Sequence, residues 1–361
     1  MTYLDANATE PLRPAARQAV LAAMAEPGNP SSVHAAGRAA RRRLEAAREA
    51  IAARFGGRPA DLVFTSGGTE ADALAVHGLS QGRRLIVGAT EHDAVRAAAR
   101  AAAVLPVDGD GVADLDALRR LLRDGPALLC LMLANNETGT IQPVAAAAAL
   151  CRAAGAWLHV DAVQAAGRIA LSFRDLGAQS LALSSHKLGG PAGAGALLLA
   201  PDAAAALAPL IVGGGQERGR RGGTPPLPAI CGFAAAAEAA DGAAVLAPLR
   251  DAAEAAAVAV GAVVVGAGAP RLPNTTCLAL PGVKAETQVI ALDLAGVAVS
   301  AGAACSSGKV AKSHVLEAMG LGPLAGEAIR VSLPWNATAA DISVFAAAYR
   351  TMAERLSRRA A

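Results

Sequence analysis

Short apolar runs punctuate the chain: LVF from Leu62, LIVGA from Leu85, ALLCLML from Ala127, WLHV from Trp157, LALS from Leu181 and GALLLA from Gly195. Most are separated by alanine-rich stretches long enough for a helix. Strands that are apolar on both faces and alternate with helices form mostly parallel sheets, with helices covering either side. The segment GRAARRRLEAAREAIAARF, from Gly37 to Phe55, sets Ala40, Leu44, Ala47, Ile51 and Phe55 at helical spacing, with the arginines largely on other faces. It reads as an amphipathic helix rather than a binding patch. Beyond about residue 243 the texture changes. A helical stretch to Ala257 gives way to AVVVGA, LPNTTCLAL, a helix around Glu286 to Leu294, VAVSAGAACSSG and IRVSL, which predicts a smaller α+β unit with antiparallel strands.

The polar residues that follow the apolar runs carry the chemistry. They are Thr65-Ser66-Gly67-Gly68-Thr69-Glu70, Thr90-Glu91-His92, Asn135-Asn136-Glu137, Asp161 and Ser184-Ser185-His186-Lys187. In an open α/β sheet the carboxyl ends of the strands border the crevice where ligands sit. The lysine is the telling member, because a long cation at the mouth of a core strand needs a reason. An amine there, a carboxylate from a neighbouring strand and a glycine-rich turn opening a helix match what pyridoxal phosphate requires. Lys187 would bind the cofactor covalently, Asp161 would keep the pyridine nitrogen protonated, and helix-start amides would take the phosphate. Taken singly, each has a plainer reading: a helix cap, a core histidine, a strand-end cap, a surface lysine.

Composition narrows the alternatives. Hydrophobic residues make up 53% of the chain but aromatic residues only 2%, so the interior is expected to be a close mesh of small side chains in a soluble protein. Lys and Arg number 33 against 30 Asp and Glu, a balance that gives no support to a nucleic-acid partner. The long uncharged stretch from Ala255 to Pro270 falls short of the roughly 20 residues that span a bilayer. The opening MTYLDANATE has no basic-then-apolar leader, so a cytoplasmic location is expected. Five cysteines, Cys130, Cys151, Cys231, Cys277 and Cys305, are scattered without CxxC or Cys/His pairs at zinc spacing, so neither a disulfide framework nor a metal is expected. Cys305 stands apart. The stretch Ser300 to Lys309, SAGAACSSGK, holds almost nothing that could anchor it in a core, which favours an accessible thiol.

Along nearly the whole chain the text resembles the cysteine desulfurases, of the aminotransferase class V group of pyridoxal-phosphate enzymes. The matching motifs come in order: YLDANAT at Tyr3, GNPSSVHAAGR at Gly28, FTSGGTEADALA at Phe64, TEHDAV at Thr90, NNETGTIQP at Asn135, HVDAVQAAG at His159, SSHKLGGPAGAGAL at Ser184, GGGQERGRRGGTPP at Gly213, SAGAACSSG at Ser300, SHVLEAMG at Ser313 and IRVSL at Ile329. The resemblance implies PLP fold type I. A large cofactor-binding domain, residues 13–243, would hold a mostly parallel seven-stranded sheet, and residues 1–12 with 244–361 would form a smaller α+β domain carrying the cysteine loop.

The resemblance also implies roles. Lys187 would be the Schiff-base lysine and His92 the imidazole stacked on the ring, with Asp161 at the ring nitrogen and Gln164 at the ring hydroxyl. Gly68, Thr69, Ser184 and His186 would hold the phosphate, joined by Thr224 from the other subunit of a homodimer. Asn136 and Arg330 would grip the substrate carboxylate, and Cys305 would take sulfur from L-cysteine as a persulfide, leaving alanine. The sulfur would go on to an acceptor or iron–sulfur scaffold protein. The same residues leave open a selenocysteine lyase or another class V enzyme such as an aminotransferase, and, from a different class, a non-catalytic binding or regulatory member. Four positions depart from the usual pattern: Gly222 where serine is common, Glu10 where threonine is common, and Pro334-Trp335 where glycine and arginine usually follow the Arg330 strand. The last two fall in the segment that relatives use to dock scaffold proteins.

Overall fold

The structure is a computed structural model that describes residues 1–302 and 312–360, with side chains described as far as residue 356. Its centre is a seven-stranded sheet in the spatial order Leu62–Thr65, Gly195–Leu199, Ser180–Ser184, Trp157–Asp161, Ala127–Cys130, Arg84–Gly88, Ala103–Leu105. Only Gly195–Leu199 runs against its neighbours, pairing antiparallel on both sides while the remaining ladders are parallel. The expected runs are all strands of this sheet. The seventh, Ala103–Leu105, is three residues of AVL at an edge, too short to announce itself by periodicity.

Strand composition explains the burial. Every residue of Leu62–Thr65, Ala127–Cys130, Ser180–Ser184 and Gly195–Leu199 is buried, as strands covered on both faces must be. The helix Ala35–Arg54 lays Ala40, Leu44, Ala47 and Ile51 on one face of this core, as its spacing predicts. Arg48 is the exception to the outward arginines. It is buried against Phe64, with its guanidinium on the Glu217 carboxylate at 2.7 and 2.8 Å and on the Leu62 carbonyl at 2.9 Å.

The later part of the chain forms an antiparallel sheet in the order Ser300–Ala301, Ala328–Ser332, Thr275–Ala279, Val263–Val265. Helices Ala247–Val258, Ala285–Leu294 and Ala339–Ala360 accompany it. Its core includes Leu278, Leu292, Ile329, Phe345 and Tyr349, and Leu4 from the start of the chain is buried with them. Thr2–Tyr3 pairs in parallel with Val297–Ala298, and Ala6 N–H donates to the Ser332 carbonyl at 3.0 Å. The first residues are thereby stitched to this sheet. Among the described residues no single helix is long and apolar enough to cross a membrane.

One glycine in the antiparallel strand sets the geometry of the sheet's carboxyl edge. A Cβ on Gly195 would lie 2.6 Å from the Gly67 carbonyl carbon and 2.7 Å from its Cα, so only glycine lets the Gly67 turn rest on this strand. Gly195→Ala is therefore expected to destabilise the fold by about 1–3 kcal/mol and to loosen the turn that opens helix Gly68–Leu79. Urea unfolding of the purified variant checks this, and an unchanged midpoint would contradict the packing argument.

Candidate active site

The strand Ser180–Ser184 ends in a single tight turn, Ser185–Lys187, which lifts the lysine out of the sheet edge. The two glycines that follow bring the chain back beneath it. Gly189 adopts a φ of +83°, and a Cβ on Gly190 would collide with the Ser185 hydroxyl. Lys187 Nζ donates to the Asn7 carbonyl at 2.6 Å and to the Ala8 carbonyl at 2.8 Å. The amine is therefore held by main chain from the first residues.

Around it lies a cavity of about 290 Å³. Gly68 and Thr69 border it at the start of helix Gly68–Leu79, together with Ser184 and His186 from the lysine's own strand and turn. The acidic residue in that first helical turn is turned away: Glu70 pairs with Arg221 at 2.7 Å and accepts from Ser66 N–H at 2.8 Å. The positive end of the helix is thus left for another anion. His186 shares a hydrogen bond of 3.2 Å with the Thr9 hydroxyl. Burial, reinforced by Lys187 and Arg168, lowers its pKa to about 4. It is a neutral hydrogen-bonding group at pH 7.

Asp161 stands at the end of strand Trp157–Asp161 and accepts from Val163 N–H at 2.8 Å. Burial, aided by the nearby Asp72 carboxylate, raises its pKa to about 7 against the opposing pull of that N–H and of His92 and His159. Such a carboxyl gains from a cation brought into the cavity. Asp72, one turn along the helix from Gly68, also borders the cavity, and burial raises its pKa to about 7 as well. Behind both carboxyls lies His159, its ring bridging Ser180 Oγ at 2.8 Å and Asp72 Oδ1 at 3.1 Å, with its pKa lowered to about 4 mainly by burial. His92 caps helix Asp93–Ala98 by accepting Ala94 N–H on Nδ1 at 3.1 Å. That bond makes Nδ1 the acceptor, so in the neutral ring Nε2 carries the proton.

Arg330 lines the same cavity. Arg330, on strand Ala328–Ser332, donates to Asp5 Oδ1 at 2.6 Å and to the Asn136 carbonyl at 3.1 Å, while its buried Nε has no acceptor among the described residues. A guanidinium with an unsatisfied N–H beside a cavity suits a carboxylate ligand. Gln164 donates from Nε2 to the Asn7 carbonyl at 3.0 Å.

Ten of the residues singled out in the sequence meet in this cavity: Gly68, Thr69, His92, Asn136, Asp161, Gln164, Ser184, His186, Lys187 and Arg330. Thr224 does not. It is exposed and outside the cavity, and its expected place is the site of a second subunit. Cys305 lies outside the described residues. The residues missed are Asn7, Asp5 and Asp72. Asp72 had a legible signal, since it follows Thr69 by three residues and so shares its helix face. Asn7 had none, because its carbonyl does the work. Among the described residues no group of side chains could hold a metal ion, and Cys130, Cys151 and Cys277 are buried with their thiol pKa values raised by desolvation.

The donors fit pyridoxal phosphate. Helix-start amides and hydroxyls suit a phosphate, a carboxyl held near pH 7 suits a protonated pyridine, and an amine lines the same cavity. The fold and the site define a pyridoxal-phosphate-dependent enzyme. The chain belongs to the aminotransferase class-V family, whose model matches residues 2–345. It is 45% identical to a cysteine desulfurase of Cereibacter sphaeroides over 94% of this chain and 92% of that protein. To an IscS-like cysteine desulfurase of Mycobacterium tuberculosis it is 40% identical, over 95% of this chain and 93% of the other. The X-ray structure of a NifS-like protein from Rickettsia africae ESF-5 superposes with a TM-score of 0.91 at 32% identity, covering 98% of this chain and 99% of that one.

Asp161→Asn is expected to leave the thermal midpoint nearly unchanged, since it removes a buried ionisable group, while slowing turnover by about 100-fold for want of a carboxylate opposite the ring nitrogen. Steady-state kinetics and thermal unfolding of the same preparation check the pair. Turnover close to wild type would remove Asp161 from this role.

Proposed function

We propose that the protein is an L-cysteine desulfurase, which moves the sulfur of L-cysteine onto Cys305 as a persulfide and releases L-alanine. The convergence of Lys187, Asp161, His92 and the Gly68–Thr69 helix start on one cavity, with Arg330 at its side, carries the reading. The cysteine desulfurases at 45% and 40% identity support the choice of reaction.

When bound, pyridoxal phosphate supplies an electron sink for charge that develops at the substrate's α-carbon. Gly68, Thr69, Ser184 and His186 would hold its phosphate, Gln164 and His92 would hold its ring, and Asp161 would keep the ring nitrogen protonated. Asn136 and Arg330 orient the substrate through its carboxylate. Lys187 Nζ removes the α-proton, and His92 Nε2 moves a proton during the exchange. The Cys305 thiolate then attacks the substrate's sulfur. A sulfur–sulfur bond forms, the substrate's carbon–sulfur bond breaks, and its electron pair stays on the carbon, which is protonated to the methyl group of alanine.

Two observations support Cys305 as the acceptor. Ser300 borders the cavity, and beyond the undescribed stretch Ser313 Oγ donates to Glu137 at 2.6 Å while His314 Nε2 lies 3.0 Å from the Glu91 carbonyl. One end of the segment that holds Cys305 thus borders the site, and the other is tied to the sequence neighbours of Asn136 and His92, which line it. Of the other cysteines, three are buried and Cys231 is half-buried with its thiol pKa also raised, so none is a ready thiolate. The working form is a cytoplasmic homodimer in which Thr224 contributes to the other subunit's phosphate site. Residues 13–243 and residues 1–12 with 244–361 are its two domains, and the persulfide sulfur passes to an acceptor or iron–sulfur scaffold protein.

Incubated with L-cysteine, the wild-type protein is expected to release alanine and to gain one sulfur on the tryptic peptide containing Cys305. Cys305→Ala is expected to retain the cofactor and lose alanine release by about 100-fold or more. Mass spectrometry with alanine quantification checks both. Extra sulfur on Cys130, Cys151, Cys231 or Cys277, or alanine made by the variant at the wild-type rate, would contradict the proposal.

A further inference from the structure

Two of the residues that depart from the family pattern, Glu10 and Trp335, are distant in sequence and meet in the fold. Trp335 N–H donates to Glu10 Oε2 at 3.2 Å, the indole Nε1 donates to the Pro11 carbonyl at 2.9 Å, and the Arg13 guanidinium lies 4.9 Å from the indole ring. Glu10 is 9% exposed, and its own N–H donates to the His186 carbonyl at 2.9 Å, next to Lys187. Glu10, Arg13, Arg168 and Trp335 border a small pocket behind the lysine, and Lys187 forms a wall of both that pocket and the main cavity.

Arg168 connects this pocket to the site. It is 4% exposed, and its Nη2 lies 3.4 Å from Glu10 Oε1. Its Nη1 donates to the Gln164 carbonyl at 2.8 Å and to Gln164 Oε1 at 2.5 Å. With Oε1 so occupied, Gln164 must present its NH₂ to the Asn7 carbonyl, the same carbonyl that receives Lys187 Nζ. A guanidinium this deeply buried needs a compensating anion, and Glu10 provides it. The other charged or titratable groups interacting with Glu10 are Arg13 and Tyr3, Lys187 lines the same pocket, and Asp241 faces Arg13 in turn.

We propose that Glu10 is a positioning residue of the active site: paired with Arg168, it fixes the Gln164 amide and balances the buried cation behind Lys187, and so sets how firmly Lys187 Nζ holds a proton once the cofactor is attached. The inference rests on the pyridoxal-phosphate reading above. Its sign follows from charge. Without the Glu10 carboxylate, the buried Arg168 behind Lys187 loses its paired anion and disfavours a proton on Nζ, so the pKa of the cofactor–lysine linkage must fall.

The test loads wild type, Glu10→Gln, Glu10→Thr and Glu10→Asp with pyridoxal phosphate and titrates the visible absorption band against pH, alongside thermal unfolding and alanine-release kinetics. Threonine is the residue common at this position among relatives, so Glu10→Thr keeps the test open should Glu10→Gln fold poorly. Both neutral variants are expected to lower the apparent pKa of the band by about 0.5–1 unit and to reduce kcat with KM for L-cysteine little changed, while Glu10→Asp restores at least half of the shift. Titration curves of the neutral variants that superimpose on wild type would overturn the proposal, even if thermal stability drops, because Glu10 would then only fill space. A wild-type protein that acquires no such band would refute the cofactor reading itself, a separate outcome.

Discussion

The site depends on one arrangement, a lysine amine held at the mouth of a core strand by two main-chain carbonyls. Lys187 Nζ donates to Asn7 and Ala8, so the first residues of the chain must run beneath the active site. They are pinned there from the opposite side. Ser332 N–H donates to the Leu4 carbonyl at 2.9 Å, Ala6 N–H to the Ser332 carbonyl at 3.0 Å and Asn7 N–H to Ser332 Oγ at 3.0 Å. The strand that supplies these contacts also carries Arg330. The amine and the Arg330 guanidinium are thus positioned by the same few residues of chain, and the distance between them is built into that shared support.

Electrostatics divides the cavity by function. The helix start, with Glu70 neutralised by Arg221, offers uncompensated positive potential to a phosphate. On the far side Asp161 and Asp72 sit so deep that burial keeps both near pH 7, and each gains from an added cation. Neutral His159 links the second carboxyl to Ser180 without adding charge. One ligand with an anionic end and a protonated ring nitrogen satisfies both halves at once.

What could be read from the sequence was side-chain chemistry at strand ends. LALSSHKLGG places Lys187 by an apolar run, a polar turn and two glycines whose steric reasons the fold makes plain, and Asp161 and His92 follow from the same pattern on other strands. Less legible was anything that works through the backbone or through long-range pairing. Asn7 acts by its carbonyl, and Ala103–Leu105 is too short to show a period. The Glu10–Trp335 contact joins residues more than three hundred positions apart, which no local pattern can register. Arg48 reads as one more outward arginine in a basic helix until Glu217 is seen beside it.

The central claim is that Lys187, and no other amine, carries the cofactor. Its most direct test is borohydride reduction of the purified, pyridoxal-phosphate-loaded protein, followed by tryptic digestion and mass spectrometry of the modified peptide. The account predicts a single phosphopyridoxyl group on the peptide containing Lys187. The same mass on a peptide lacking Lys187, or no covalent retention after reduction, would contradict it.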